Sequence, residues 1–240
     1  MNIKVIACEV IKKELDILLT KNRKNKITVC YLTKELHQYG KERMASDIQK
    51  AIDETQSAEF NAIALVYGLC NYGIRDLHGE LPIVVPRAHD CITLFMGSKE
   101  RYREYTQKTN GAYFIAGTFG FDSGNSLDYS KVIQEKRLEF AEKYGEENAD
   151  YLMETIGDPL KNYSRITFIS NDLGNTDEIK EKARAIAESR EWAFEVYPGN
   201  LSLIEKLLDG EWAENDYLIL KPGEKIAPSY DEGIITAAKT

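Results

Sequence analysis

Residues 62–73 read AIALVYGLCNYG, and this stretch indicates the fold most clearly. Its first six residues form an uninterrupted apolar run, which is typical of a strand buried on both faces of a parallel sheet. The glycines at 68 and 73 then indicate a sharp turn, or a close approach between the backbone and a ligand. We therefore predict a buried strand over 62–67, followed by a loop that carries Cys70.

Similar apolar runs alternate with helix-forming stretches along the rest of the chain. Strands are predicted over 3–7, 27–32, 62–67, 81–85, 112–116, 166–170, 193–197 and 217–220. Helices are predicted over 11–20, 41–55, 91–107, 127–162, 176–188 and 201–208, the long region being broken near Gly145 and Gly157. This alternation is typical of an α/β protein with parallel sheets flanked by helices.

The long helical stretch separates two series of strands. We predict two Rossmann-like lobes with a cleft between them. The N-terminal α/β lobe covers 1–125 and carries the cysteine and histidine loops, a helical connector covers 126–163, and the C-terminal α/β lobe covers 164–240. A single continuous sheet is the alternative.

The composition narrows the class of partner. The chain has 240 residues, a hydrophobic fraction of 43% and a formal net charge of −8, which allows a sizeable core. Phosphate binding needs clustered positive charge, so the acidic balance argues against a nucleic-acid partner and against an anionic membrane surface. The sequence shows neither a signal-peptide pattern nor an apolar stretch long enough to span a membrane. We therefore expect a cytoplasmic protein.

Three of the four cysteines follow predicted strands. Cys8, Cys70 and Cys91 come after the first, third and fourth strands, and ligands of parallel α/β sheets bind at the carboxyl ends of strands. In a reducing cytosol such thiols are free, catalytic or metal-binding. We predict that these three bind a metal ion. Cys30 lies inside the second strand and is assigned to the core, and a purely structural role for all four is the alternative.

The loops around these cysteines supply further candidates. His89 lies two residues before Cys91, so it is predicted as the fourth metal ligand or as a group that lowers the thiol pKa. Asp90 is predicted to cap the following helix, whose dipole would favour a Cys91 thiolate. His37 follows the second strand at the same edge. Residues assigned to cofactor binding are His37, Tyr67, Gly68, Asn71 and Arg87.

The segments around these residues resemble a known family. They are residues 67–73 (YGLCNYG), residues 86–92 (PRAHDCI) and residues 97–102 (GSKERY), with the Leu36-His37 pair and residues 199–210 fitting the same pattern. The family carries a domain-of-unknown-function label and occurs in anaerobic bacteria and methanogenic archaea. Its members are often encoded near corrinoid-dependent methyltransferases, so the resemblance implies one-carbon metabolism.

Three functions are compatible with these features. The first is a Zn²⁺-thiolate protein, which would activate a thiol for methyl transfer and so be a metal-dependent methyltransferase. The second is an iron–sulfur protein for electron transfer or corrinoid reactivation. The third is a non-enzymatic corrinoid or metal chaperone, with His37 or His89 as a ligand to cobalt. The partner expected in each case is a small molecule or a corrinoid protein.

Overall fold

The computed structural model describes residues 1–37, 40–70, 72–116, 130–157, 160–171, 173 and 176–240, with the side chains of all of these except 37 and 130–132. The chain divides into two compact units. Unit 1 comprises Met1–Lys108, Ile169–Gly174 and Pro198–Thr240, and unit 2 comprises Thr109–Phe168 and Asn175–Tyr197. All site residues predicted from the sequence fall in unit 1.

Unit 1 is built on a five-stranded sheet. Its strands are β1 (Asn2–Cys8), β2 (Lys26–Leu32), β3 (Ala62–Val66), β4 (Ile83–Pro86) and β8 (Tyr217–Leu220), in the order β2-β1-β3-β4-β8. The first four strands pair in parallel, whereas β8 runs antiparallel to β4. Every side chain of β3 is buried, because helices and loops cover both faces of a central parallel strand.

Helices connect and cover these strands. They are α1 (Lys12–Leu19), α2 (Lys41–Asp53), α3 (Cys91–Met96), α4 (Lys99–Lys108) and α8 (Ser202–Asp209), with 3-10 turns at Glu9–Ile11 and Lys34–His37. The amphipathic α2 buries Met44, Ile48, Ala51 and Ile52, the face that its helical spacing predicts. An antiparallel pair, β9 (Glu224–Pro228) and β10 (Ile235–Lys239), completes the unit.

The single helix predicted over 91–107 is divided at Gly97. This residue has a left-handed φ of 89°, and a Cβ there would lie 2.6 Å from the carbonyl oxygen of Asn200. Glycine meets both conditions without strain. The Ser98 hydroxyl then accepts a hydrogen bond from the Arg101 N–H at 3.2 Å, at the start of α4.

Unit 2 contains most of a second, three-stranded sheet. Its elements are β5 (Ala112–Ala116), β6 (Arg165–Ser170) and β7 (Ala193–Pro198), in that order, with α5 (Ser130–Tyr144), α6 (Glu146–Ile156) and α7 (Asp177–Ser189). Ser164 N–H donates to Gly111, and Ala193 N–H donates to Ser164. These bonds join the starts of neighbouring strands, so the strands run in the same direction. None of the helices in the described ranges combines the length and apolar content needed to cross a membrane.

The two sheets confirm an α/β protein with mainly parallel strands flanked by helices. The arrangement as two Rossmann-like lobes around a cleft stays a prediction. The units are discontinuous in the sequence, whereas the predicted segments 1–125, 126–163 and 164–240 are consecutive. The physical reason is the pairing of β8 with β4, which places a strand assigned to the C-terminal lobe in the sheet of unit 1.

Candidate thiol site

Three cysteines lie at the carboxyl edge of the parallel strands in unit 1. Cys8 is the last residue of β1, Cys70 follows β3 by four residues, and Cys91 is the first residue of α3. Since β1, β3 and β4 are neighbours in the sheet, the loops that follow them open at the same edge. The structure therefore brings these three free thiols to one end of the sheet.

Burial dominates the ionisation of these thiols. It raises the pKa of Cys8 to about 11 and that of Cys70 to about 12, and it raises the pKa of Cys91 well above its ordinary value. All three thiols are therefore neutral near pH 7. A thiolate-favouring effect of the helix start was expected at Cys91, but burial and the charges of Cys70 and Asp90 act in the opposite direction and prevail.

The thiols also influence one another. After burial, Cys70, Asp90 and Cys8 are the charges that raise the pKa of Cys91, and Asp90 and Cys8 raise that of Cys70. The backbone of Cys91 also hydrogen-bonds the Cys70 sulfur. Because charge effects weaken with distance, the three sulfurs share one neighbourhood.

Backbone contacts fasten the loop after β3 to the loop after β4. The Cys70 N–H donates to the His89 carbonyl at 2.9 Å. A Cβ on Gly68 would lie 2.7 Å from the Cα of Asp90, so this approach requires glycine. Cys70 has a φ of 45°, in the left-handed region that non-glycine residues rarely adopt. The loop thus holds Cys70 close to Cys91 in a strained conformation, a feature that is frequent at functional sites.

Asp90 fixes the start of α3. Its carboxylate accepts a hydrogen bond from the Thr93 N–H at 3.2 Å, which makes it the N-cap that the sequence predicts. The Tyr102 hydroxyl donates to the other carboxylate oxygen at 3.2 Å. Burial and the Asp90 charge both raise the pKa of Tyr102, so its hydroxyl remains a donor. The backbone of Cys91 is thereby held in the first turn of the helix.

His89 lies on the surface beside this cluster. Its side chain is exposed, and its ring centre is 5.6 Å from that of Tyr102. It lines a surface pocket of about 310 Å³ together with Lys99, Arg103, Tyr230, Asp231, Glu232 and Ile234. None of the three cysteines is among the described residues of that lining. His89 as the fourth metal ligand stays a prediction.

Arg87 connects distant loops in unit 1. Its side chain donates to the carbonyl oxygens of Glu214 and Gly233 at 2.9 Å and of Ile235 at 2.5 Å. These bonds hold the turn between β9 and β10, and the segment before β8, against the loop that follows β4. The contacts that the structure describes for the guanidinium are structural, and a role in cofactor binding stays a prediction.

Tyr67 is a buried residue with a polar hydroxyl, and it directly follows β3, three residues before Cys70. Its side chain is only 2% exposed, and its hydroxyl has no hydrogen-bond partner among the described residues. Leaving a buried hydroxyl unpaired costs about 1–3 kcal/mol. Burial raises the pKa of Tyr67 most, followed by the charges of Cys8, Cys70 and Cys30. The sequence places Tyr67 at the site, but it does not reveal the unpaired hydroxyl.

Cys30 differs from its predicted place in the core. It lies inside β2, but it is half-buried. In the parallel register Cys30 pairs with Ile6, and Cys8 pairs with Leu32, two residues further along each strand. Because side chains alternate along strands, Cys30 and Cys8 lie on the same face of the sheet. The signal that would have revealed this is the register between β1 and β2.

Two predicted residues fall at the limit of what the structure describes. His37 is the last residue of the 3-10 turn Lys34–His37, but its side chain lies outside the described part. Asn71 lies outside the described residues altogether. Their predicted roles in cofactor binding stay predictions.

The three thiols lie at one edge of the sheet, but they do not form a ready-made chelate. Within the described residues, no group of three or more His, Cys, Asp or Glu side chains is already positioned to hold one metal ion. Metal binding at this edge therefore requires the cysteine side chains to move towards the ion.

The chain matches a known protein family. The family described as "Protein of unknown function (DUF1638)" matches residues 31–208, well over half of the chain, and the chain belongs to it. The predicted membership in a domain-of-unknown-function family is thus confirmed. The matched region contains Cys70, His89 and Cys91, whereas Cys8 and Cys30 precede it. No curated protein and no solved structure matches the chain.

Proposed function

We propose that this member of the DUF1638 family is a metal-binding protein whose ion is held by the thiolates of Cys8, Cys70 and Cys91. The observation that supports the proposal is the grouping of three free thiols at one sheet edge, one buried and two half-buried, that affect one another's ionisation. Zn²⁺ is the ion that this donor set suits best, because sulfur-rich protein sites favour zinc or iron–sulfur clusters.

Because burial raises the pKa values of these thiols, their ionisation to thiolates near neutral pH requires a nearby cation. Each of the three pKa values is raised above its ordinary value, with burial as the first cause. Three neighbouring thiolates would also repel one another. A divalent ion supplies the compensating charge, since a coordinating thiol is deprotonated by the metal itself.

Three protein thiolates leave one position of a tetrahedral zinc ion for another ligand. Sites of this kind with an open position are catalytic in other zinc proteins. His89 is the predicted protein ligand for that position, and it would have to leave the exposed place beside Tyr102. Otherwise the position is available to a ligand from solution.

The proposed chemistry is methyl transfer to a thiol in anaerobic one-carbon metabolism, in the cytoplasm. Zinc keeps a bound thiol deprotonated and nucleophilic. Cys8, Cys70 and Cys91 would hold the zinc, and the zinc-bound thiolate would supply the nucleophile for a methyl group, with both electrons of the broken methyl–cobalt bond left on the donor cobalt. The resemblance to a family associated with corrinoid-dependent methyltransferases supports this choice of donor.

Anaerobic metal analysis of purified variants tests the metal site. We expect about one zinc per chain in the wild type, and marked loss in Cys8→Ser, Cys70→Ser and Cys91→Ser. Cys30→Ser is the matched control, because Cys30 lies on the same sheet face but in the strand interior, and it should retain zinc.

The alternatives give different results in the same preparation. Iron and sulfide with a brown colour would favour an iron–sulfur cluster, and a retained corrinoid spectrum would favour a corrinoid-binding protein. A wild type that carries no metal, and takes up none when zinc is supplied, would overturn the proposal.

A further inference from the structure

Tyr67 places a hydrogen-bond donor inside unit 1 where the described residues offer it no acceptor. The residue is 2% exposed, and its hydroxyl is without a partner in the described part of the chain. Folded proteins rarely leave a buried hydroxyl in this state, and such a group calls for a further partner or a functional explanation. A bound ligand with an acceptor atom is one such partner.

The strand register places this donor on the cysteine side of the sheet. In the parallel pairing of β1 with β3, Ile6 lies opposite Leu65 and Ala7 opposite Val66. Tyr67 is the first residue after β3, and Cys8 follows Ala7 as the last residue of β1. Both residues therefore lie at the carboxyl edge of the sheet, just beyond the last paired residues of these two strands.

The loop after β3 brings Cys70 to the same region. Cys70 is three residues beyond Tyr67, and its backbone is bonded to that of His89 in the loop before Cys91. The charges of Cys8 and Cys70 both raise the pKa of the Tyr67 hydroxyl. The backbone that carries this donor therefore leaves the sheet beside two of the three residues proposed to hold the ion.

We propose that the Tyr67 hydroxyl donates a hydrogen bond to the sulfur of a small thiolate that occupies the open position of the ion held by Cys8, Cys70 and Cys91. This inference rests on the proposed metal site and names its ligand class. An incoming thiolate is an acceptor, so it satisfies the hydroxyl. Tyr67 is then a residue that binds and orients the nucleophile, and it is not a ligand of the metal.

Tyr67→Phe tests this role because it removes the hydroxyl and keeps the ring in the core. The protein is loaded with Co²⁺ in place of zinc, and 2-mercaptoethanol is titrated while the sulfur-to-cobalt absorption is followed. We expect unchanged metal content, and binding of the thiol weakened about tenfold, which corresponds to about 1.4 kcal/mol. Without added thiol the variant should unfold at the same temperature as the wild type or higher, since it loses an unsatisfied polar group.

Tyr217→Phe is the matched control. Its hydroxyl is also buried, but it donates to the carbonyl of Leu203 at 2.5 Å. This variant should unfold at a lower temperature and bind the thiol as the wild type does. Equal thiol affinity of Tyr67→Phe and wild type, at equal metal content, overturns the role of Tyr67 and leaves the metal site standing. A wild type that binds no metal overturns both.

Discussion

Cys8 illustrates how burial determines the chemistry of a single residue at this site. The side chain is 5% exposed at the end of a central strand, and desolvation penalises its charged form. The pKa of this thiol accordingly rises to about 11, from an ordinary value of 9.0. A thiol of this kind is a poor nucleophile at neutral pH, and it becomes useful only when a cation stabilises the thiolate.

The raised pKa of Cys8 predicts a pH dependence of stability. The folded chain holds the thiol proton more tightly than the unfolded chain, so this contribution is complete below about pH 9. It is lost as the pH rises through 11. We expect the unfolding free energy of the metal-free wild type to fall by about 2 kcal/mol more than that of Cys8→Ala between these pH values.

Urea unfolding of metal-free protein at pH 8 and pH 11 measures this difference. Cys30→Ala controls for the loss of a thiol from the same sheet face. An identical pH dependence in the wild type and Cys8→Ala would show that burial of this thiol does not penalise its ionisation.

The residues predicted for the site differ in how far sequence alone can identify them. Cys8, Cys70 and Cys91 follow apolar runs that read as parallel strands, so their common edge is predictable. The face on which Cys30 lies depends on the register between β1 and β2, which no local pattern contains. His89 is exposed, with its ring beside that of Tyr102, thirteen residues further along the chain, and no local pattern predicts this placement.

Among the elements, α3 is the one that positions Cys91. It has only six residues and begins at Cys91 itself. Intrinsic helix propensity therefore contributes little to the stability of α3, and the N-cap contributes more. Asp90 supplies that cap and also receives the Tyr102 hydroxyl. The site therefore depends on one carboxylate that binds no ligand in our proposal.

Asp90→Ala should destabilise the chain by about 1 kcal/mol, within the range of 0.5–2 kcal/mol that N-cap losses give. Asp90→Asn keeps an acceptor oxygen for the Thr93 N–H, so it should retain most of the stability. Urea denaturation of both variants measures the effect. If Asp90→Ala were as stable as the wild type, the cap would not be what holds the start of α3.

The strands and helices that arise from a local pattern of apolar residues were predicted from the sequence. The helix break and the strand pairing that arise from contacts between distant residues were not. The apolar runs of β1, β3 and β5 and the amphipathic face of α2 are local signals. The division between α3 and α4 arises because Gly97 meets Asn200, which is remote in sequence. The antiparallel pairing of β8 with β4 likewise depends on contacts between distant residues. The β9–β10 pair joins neighbouring segments that were not predicted as strands.

At the scale of the whole molecule, the proposed site combines residues from inside and outside the region that matches the family. Cys70 and Cys91 lie within the region that matches the DUF1638 family, and Cys8 lies before it. Yet β1 is paired with both β2 and β3 in the centre of the sheet. The first strand is therefore an integral part of unit 1, and it supplies one of the three thiols.

Proton release on zinc binding tests the central claim most directly. The three thiols are protonated in the metal-free chain near pH 7, and zinc binds thiolates. Titration of the whole metal-free chain with Zn²⁺ in a weakly buffered solution at pH 7 should therefore release about three protons for each ion bound, whereas Cys70→Ser should show much smaller zinc uptake and proton release. Absence of zinc uptake by the wild type, or uptake without proton release, would contradict a site made of these three cysteines.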